Sequence, residues 1–177
     1  MAIQNSALKI TITAIFVAIA LVTNYSLIWL PQVKLMDAII FLIAYYFGLQ
    51  YGIGAAVLTR LIYGVINPYG FDFYSLLMVI SGELFFVLLA GIFRKLVKPE
   101  ELFANKANLF LLSFFAILAT FLFDLYTNAL VGLIWYRSIM LGLVMGVPFG
   151  LMHQIANLFI TPVLVPAAVY LFQRFGV

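Results

Sequence analysis

The sequence predicts an α-helical integral membrane protein, folded as a compact bundle of six transmembrane helices. Of its 177 residues, 67% are hydrophobic and only 8% are charged, and the mean hydropathy is +1.21. An ordinary soluble domain carries about 25% charged residues, so a soluble core of this size could not bury so much apolar surface. The apolar runs are too long for barrel strands, and open sheet is excluded in lipid. We expect one domain over residues 1–177.

Six apolar segments are expected to form the spanning helices. They are residues 7–30, 37–49, 51–66, 73–97, 107–134 and 148–172. The second and third are shorter than the roughly 20 residues that cross a bilayer, so they are expected to span with interfacial ends or local thinning. Tight turns are expected at 48–52 and 67–70, where glycine and proline occur.

The predicted start of the sixth segment depends on Pro148, because proline lacks the N–H that the hydrogen bonds of an α-helix require. We place the sixth segment after this proline, so that residues 132–146 form a partly apolar connection over the outer face. The alternative is one long helix kinked at Pro148. Residues 138–172 are too long for one straight helix across about 30 Å of hydrocarbon, which favours the first arrangement.

The distribution of Lys and Arg predicts that both termini are cytoplasmic. The cytoplasmic side then holds Lys9, Arg94, Lys95, Lys98, Lys106 and Arg174, and the outer side holds Lys34 and Arg137. The first segment superficially resembles a signal peptide that could be cleaved after Ala20. Its apolar run continues past that point, which favours an uncleaved anchor. We expect a multi-pass protein of the cell membrane.

Several classes of function are disfavoured by the residues present. The chain has one histidine and no cysteine, and it contains neither Gly-x-Ser-x-Gly nor His-Glu-x-x-His. Asp124 could orient His153, and His153 could act as a general base. No serine has a motif that indicates an activated nucleophile, however, so no enzyme is expected. Neither a metal site nor a cofactor is expected. The net charge of +3 follows membrane topology and needs no nucleic acid.

One face of the first helix carries small residues. Ala7, Thr11, Ala14 and Ala18 recur at i, i+4, i+7 and i+11, and such rows let another helix approach closely in lipid. Composition favours a seam inside the protein's own bundle. The spacing also makes Thr11, Ala14 and Ala18 a candidate docking face for another membrane protein.

Two charged residues are expected near the middle of the membrane. Arg60 lies about nine residues into segment three, and Glu83 lies about ten residues into segment four, which runs the opposite way. A lone charge there costs at least about 2.5–3.5 kcal/mol, so pairing is expected. A structural Arg60–Glu83 ion pair and a Glu83 that faces a ligand cavity remain equally open.

Polar residues of the last two segments cluster toward one side of the membrane. Asp124 and Asn128 share a face at i, i+4, as do His153 and Asn157, and Glu83 could form the floor of a pocket between them. Aromatic and polar residues of two connections could cover it: Trp135, Tyr136, Arg137, Tyr69, Asp72 and Tyr74. Aromatic walls with a few polar groups are typical of small-ligand sites. The alternative is that these groups pair as interhelical hydrogen bonds.

The pattern resembles the substrate-binding S component of energy-coupling factor (ECF) vitamin transporters. The resemblance rests on Ala14-x-x-x-Ala18, on the short segments 37–48 and 51–56, and on a final helix that opens Pro148-Phe149 and carries a polar pair. It implies six helices with cytoplasmic ends. It also implies a pocket made by helices four to six, gated by the first and third connections, that captures a micronutrient from outside.

The resemblance further implies that the Ala14/Ala18 face docks on a transmembrane coupling protein driven by two cytoplasmic ATPases, and that the S component topples to deliver its ligand. Glu83, Trp135, His153 and Asn157 stand where thiamine-type relatives hold ligand groups. Thiamine, riboflavin and tryptophan-like compounds all remain candidate ligands. The chain lacks the Met-His amino terminus of the nickel and cobalt relatives, which disfavours metal transport.

A rival resemblance links residues 52–64 to the rod-shape-determining membrane proteins, which are six-helical and of similar length. It implies a structural partner in cell-wall assembly that binds no small molecule. The polar cluster favours transport, because a scaffold gains nothing from a hydrated pocket.

Overall fold

A computed structural model describes residues 6–68 and 70–176, and these form an all-helical bundle without strands. Within these ranges, six α-helices are joined by short connections, with a single 3-10 turn at Pro99–Glu101. The helices are α1 Ser6–Ser26, α2 Met36–Phe47, α3 Leu49–Val65, α4 Phe73–Leu96, α5 Lys106–Trp135 and α6 Ile139–Arg174. Helix α1 ends before the predicted stop at Pro31, and residues 27–35 form a turn-rich connection to α2.

Four of the described helices, α1, α4, α5 and α6, are long and apolar enough to cross a membrane. Helix α2 has 12 residues and is about 18 Å long, and every residue in it except Tyr46 is buried. It packs against α1, α3, α4 and α6 at the centre of the bundle. The shortness of α2 is therefore compatible with its position, because protein rather than lipid surrounds it.

The turn between α2 and α3 is tighter than predicted. It consists of Gly48, whose φ of 111° is a conformation that side chains rarely allow. One turn later, a Cβ at Gly52 would lie 2.9 Å from the Ala44 Cα atom. These glycines let two antiparallel helices lie close together and bring Asp37 of α2 near Arg60 of α3.

The predicted connection over residues 132–146 is wrong, and so is the predicted start of the last helix at Pro148. Helix α5 continues to Trp135, three residues form the turn, and α6 runs for 36 residues with three internal prolines. The alternative of one long helix is the arrangement observed. A Cβ at Gly132 would lie 2.9 Å from the Gly142 Cα atom, so small residues at this seam allow two long helices to pack directly.

The small-residue face of α1 points away from the bundle. Thr11, Ala14 and Ala18 are exposed, whereas the buried face of α1 consists of Thr13, Val17, Ala20 and Asn24. The interpretation of this row as a seam within the protein's own bundle is therefore wrong. Thr11, Ala14 and Ala18 are therefore accessible to lipid or to another protein.

Candidate functional site

A network of buried charges lies in the core and is centred on Asp37. This carboxylate lies in the first turn of α2, where the helix dipole favours negative charge. Arg60 of α3 donates through Nη2 to Asp37 Oδ1 at 3.0 Å and through Nε to Glu83 Oε1 at 2.6 Å. Arg60 is 3% exposed, and both carboxylates are fully buried. The structural Arg60–Glu83 ion pair is thus present, with Asp37 as a second partner.

His153 extends the network to α5 and α6. Its Nε2 lies 2.7 Å from Asp37 Oδ2 and its Nδ1 lies 2.9 Å from Asp124 Oδ1. An imidazolium donates from both nitrogens and ionised carboxylates only accept hydrogen bonds, so these two contacts suit a doubly protonated ring. Both ring nitrogens are therefore used, and neither is free to act as the base that an Asp124–His153 catalytic pair requires.

Asn157 lies one helical turn beyond His153 and joins the same network. Its amide donates to Thr120 Oγ1 at 3.0 Å and to Asp37 Oδ2 at 3.4 Å. The network thus connects α2 through α6. Buried ions are tolerated only when such partners replace water, and the loss of one partner leaves an uncompensated charge in the interior.

A cavity of about 660 Å³ lies next to this network, at the end of the bundle where α1 and α3 end and α4 begins. Residues of both flanking connections line it as well. The polar groups along its wall are Asn24, Gln32, Lys34, Asn67, Asp72 and Ser75, with Tyr63 beside them. Arg60 also lines the cavity, so one guanidinium belongs both to the charge network and to the cavity floor.

Two cavity residues differ from the rest in their environment. Asn24 is 3% exposed, and neither its amide nitrogen nor its amide oxygen has a hydrogen-bond partner among the described residues. Lys34 is partly buried in the first connection and forms no salt bridge within the described ranges. Burial, and next the positive charge of Arg60, lower the pKa of the Lys34 amino group from 10.5.

Of the predicted binding and cover residues that the structure describes, Asp72 lines this cavity and the others do not. Glu83, His153 and Asn157 belong to the buried network, and Asp124 and Asn128 line a separate groove of about 250 Å³ between α5 and α6. The predicted cover residues Trp135, Tyr136 and Tyr74 are exposed, and Tyr69 lies outside the described residues. The expected single pocket floored by Glu83 is not formed by these side chains, and their contact with a ligand stays a prediction.

The sequence reasoning missed Asn24, Lys34 and Tyr63. Asn24 had one available signal, because it is an amide within an otherwise apolar first segment. For Lys34 the available signal was its charge, because it is one of only two positive residues assigned to the outer side. Their convergence could not be deduced, since it depends on how the first connection folds over the ends of α3 and α4.

An apolar helical bundle with a polar cavity at one end is the architecture of a membrane-embedded ligand-binding protein. The family model described as "ECF transporter, substrate-specific component" matches residues 8–165, and the chain belongs to this family. No curated protein and no solved structure matches the chain. Members of this family are substrate-binding subunits of transporters, and the family is not an enzyme family. Its members act with an ECF module in the membrane, which favours transport over the rod-shape scaffold.

Proposed function

We propose that this protein captures a vitamin-like small organic micronutrient from outside and delivers it inward when docked on a coupling protein and its two ATPases. The observation that carries this function is the 660 Å³ cavity with polar walls in an otherwise apolar bundle. Sites for small molecules usually measure about 300–1,000 Å³ and combine apolar walls with a few polar groups. We place the ligand in this cavity, between the first connection and the ends of α3 and α4.

The distribution of charge supports an outward-facing opening. Arg94 and Lys95 lie in the last turn of α4, and Lys98 follows them, whereas the cavity lies beside the first turn of that helix. Positive residues accumulate on the cytoplasmic side of membrane proteins. The cavity therefore opens to the outer side, from which an importer takes its substrate.

The charge network supports the cavity floor from below. Asp37 and Glu83 hold the Arg60 side chain in place, and His153 and Asn157 hold Asp37. We therefore assign these residues to positioning of the floor. We assign docking on the coupling protein to the exposed Thr11, Ala14 and Ala18 face of α1.

The test of ligand capture is mass spectrometry of small molecules that co-purify with the protein, followed by titration of the identified compound. Trp29 is 71% exposed in the connection that lines the cavity, so its fluorescence is expected to report binding. Ser75→Trp, within the cavity wall, is expected to abolish binding. Leu151→Trp places the same ring in the α5–α6 groove and is expected to bind normally. The opposite result would move the site to that groove, and a complete absence of ligand would favour the scaffold.

The docking face has a separate test. Ala14→Trp is expected to abolish uptake in cells that contain the complete transporter and to leave ligand binding intact, because a bulky ring prevents close helix approach. Ile19→Trp is the matched control, since Ile19 is also exposed on α1 but lies about 100° around the helix from Ala18. Unchanged uptake by Ala14→Trp would show that this face does not dock.

A further inference from the structure

We propose that the cavity selects small organic anions. Lys34 pairs with the negative charge of the ligand, and Asn24 forms hydrogen bonds with polar atoms at the edge of the same ligand. This inference rests on the proposed function. A ligand that carries a carboxylate or a phosphate ester next to a flat ring has this chemistry. The ligand is then the opposite of the cationic compound that a free Glu83 would favour.

Asn24 lines the cavity, and its amide has no hydrogen-bonding partner among the described residues. The amide is 3% exposed, yet its donor and its acceptor are both unpaired in the described part of the chain. A buried polar group left unsatisfied costs about 1–3 kcal/mol, so native proteins rarely keep one without a use for it. Because donor and acceptor lie side by side, Asn24 matches a ligand edge that carries an acceptor next to a donor.

The charged groups that reach the cavity are mainly positive. Arg60 lines it, whereas none of the carboxylates Asp37, Glu83 and Asp124 does so among the described residues. Asp37 and Glu83 already accept hydrogen bonds from Arg60, and Asp124 accepts one from His153 if the ring donates. Each of these carboxylates thus has at least one oxygen in contact with an internal partner, although Glu83 Oε2 and Asp124 Oδ2 have none among the described residues.

Lys34 is the cation that remains available. The groups that act on it are Arg60, which disfavours its charged form, and the carboxylates Asp37, Glu83 and Asp124, which favour it. None of these carboxylates forms a salt bridge with the Lys34 amino group in the described residues. Asp72, on the exposed cavity rim, uses its Oδ2 to accept from the Ser75 N–H at 2.6 Å and so caps α4. An anionic ligand supplies the partner that the protein does not.

The test uses probes of one shape and three charges on the full-length protein in detergent: benzoate, benzamide and benzylammonium, each titrated to millimolar concentration. We expect benzoate to bind roughly ten- to a hundredfold more tightly than benzamide, since a hydrogen bond to a charged group is worth that much. Benzylammonium is expected to bind most weakly. Phenyl phosphate, compared with benzoate, distinguishes a phosphate ester from a carboxylate as the preferred anion.

Two Lys34 variants and one Asn24 variant complete the design. Lys34→Met is expected to remove the preference for benzoate, Lys34→Arg to retain it, and Asn24→Leu to weaken benzamide and benzoate together. Equal affinities for the three probes, including no binding of any, or a preference for the cation would overturn the inference.

Failure of the inference and failure of the proposed function give different results. If the co-purified micronutrient is lost from Ser75→Trp and proves to be neutral or cationic, the cavity is the ligand site and the anion preference is wrong. If Ser75→Trp retains the micronutrient, the proposed site itself is wrong.

Discussion

Replacement of Arg60 by methionine is expected to lower the free energy of unfolding by about 3–5 kcal/mol, the usual loss when one partner of a buried ion pair is removed. Methionine keeps an unbranched apolar side chain, so the change removes mainly the charge and the hydrogen bonds. Asp37 and Glu83, both 0% exposed, would each lose their guanidinium partner. Of the two, Asp37 would keep His153 and Asn157 as partners.

A second substitution tests whether the loss comes from stranded charge. Glu83→Gln in the Arg60→Met background removes one uncompensated carboxylate, and it is expected to restore about 1–3 kcal/mol. In the wild-type background the same change removes an acceptor from Arg60 and is expected to destabilise the protein. The opposite signs of these effects distinguish an electrostatic cause from a simple packing defect.

The assay is reversible unfolding of the protein in mixed micelles by increasing sodium dodecyl sulfate, followed by far-ultraviolet circular dichroism. Lys95→Met is the matched control, because it removes an exposed positive charge from the end of α4. The control is expected to change stability by less than about 0.5 kcal/mol. Two results would refute a network whose buried charges depend on one another. One is a loss of less than about 1 kcal/mol in the free energy of unfolding for Arg60→Met. The other is further destabilisation by Glu83→Gln in the Arg60→Met background.

Three further predictions use other features. Nitrogen-15 NMR of the single histidine, His153, is expected to show both ring nitrogens protonated at pH 7, and a signal from an unprotonated nitrogen would contradict the two carboxylate contacts. Gly142→Ala is expected to destabilise the protein by about 1–3 kcal/mol because its Cβ would overlap Gly132. Gly54→Ala, with nothing within 4 Å, is expected to be neutral or stabilising, and equal effects of the two would refute the close seam. Since the pKa of Lys34 is lowered from 10.5, benzoate affinity, present while Lys34 is protonated, is expected to fall as pH rises from 7 to 10, with Lys34→Arg as the unchanged control.

Most of the helices could be predicted from the sequence. The predicted segments 51–66, 73–97 and 107–134 lie within two residues of the observed bounds at each end. The error at the last helix has a specific cause. Proline usually marks the start or the end of a helix, but within a bundle the surrounding helices tolerate its missing N–H, so Pro148 lies inside α6.

The candidate site was harder to predict, because a polar residue in an apolar segment can either pair with other protein groups or face a ligand cavity. His153, Asn157 and Glu83 were correctly picked out as residues that need partners. The structure pairs Glu83 with Arg60, and it pairs His153 and Asn157 with Asp37. Asp37 was not identified as a site residue, although it is the centre of the network. Its partners lie 23 and 116 positions away, and sequence spacing carries no information about such contacts.

The sequence by itself determined that this is an apolar helical membrane protein, roughly where its helices lie, and which family pattern it resembles. These properties follow from local hydropathy and helix-breaking residues, which act over one or two turns. Only the tertiary structure decided that the charged residues of α2 to α6 meet in one network and that the small-residue face of α1 is exposed. It also decided that the large cavity lies beneath the first connection, where the described residues give Asn24 no hydrogen-bond partner and Lys34 no salt bridge. These outcomes depend on which distant side chains meet, because each buried polar group is stabilised by whichever partner the packing of the helices brings to it.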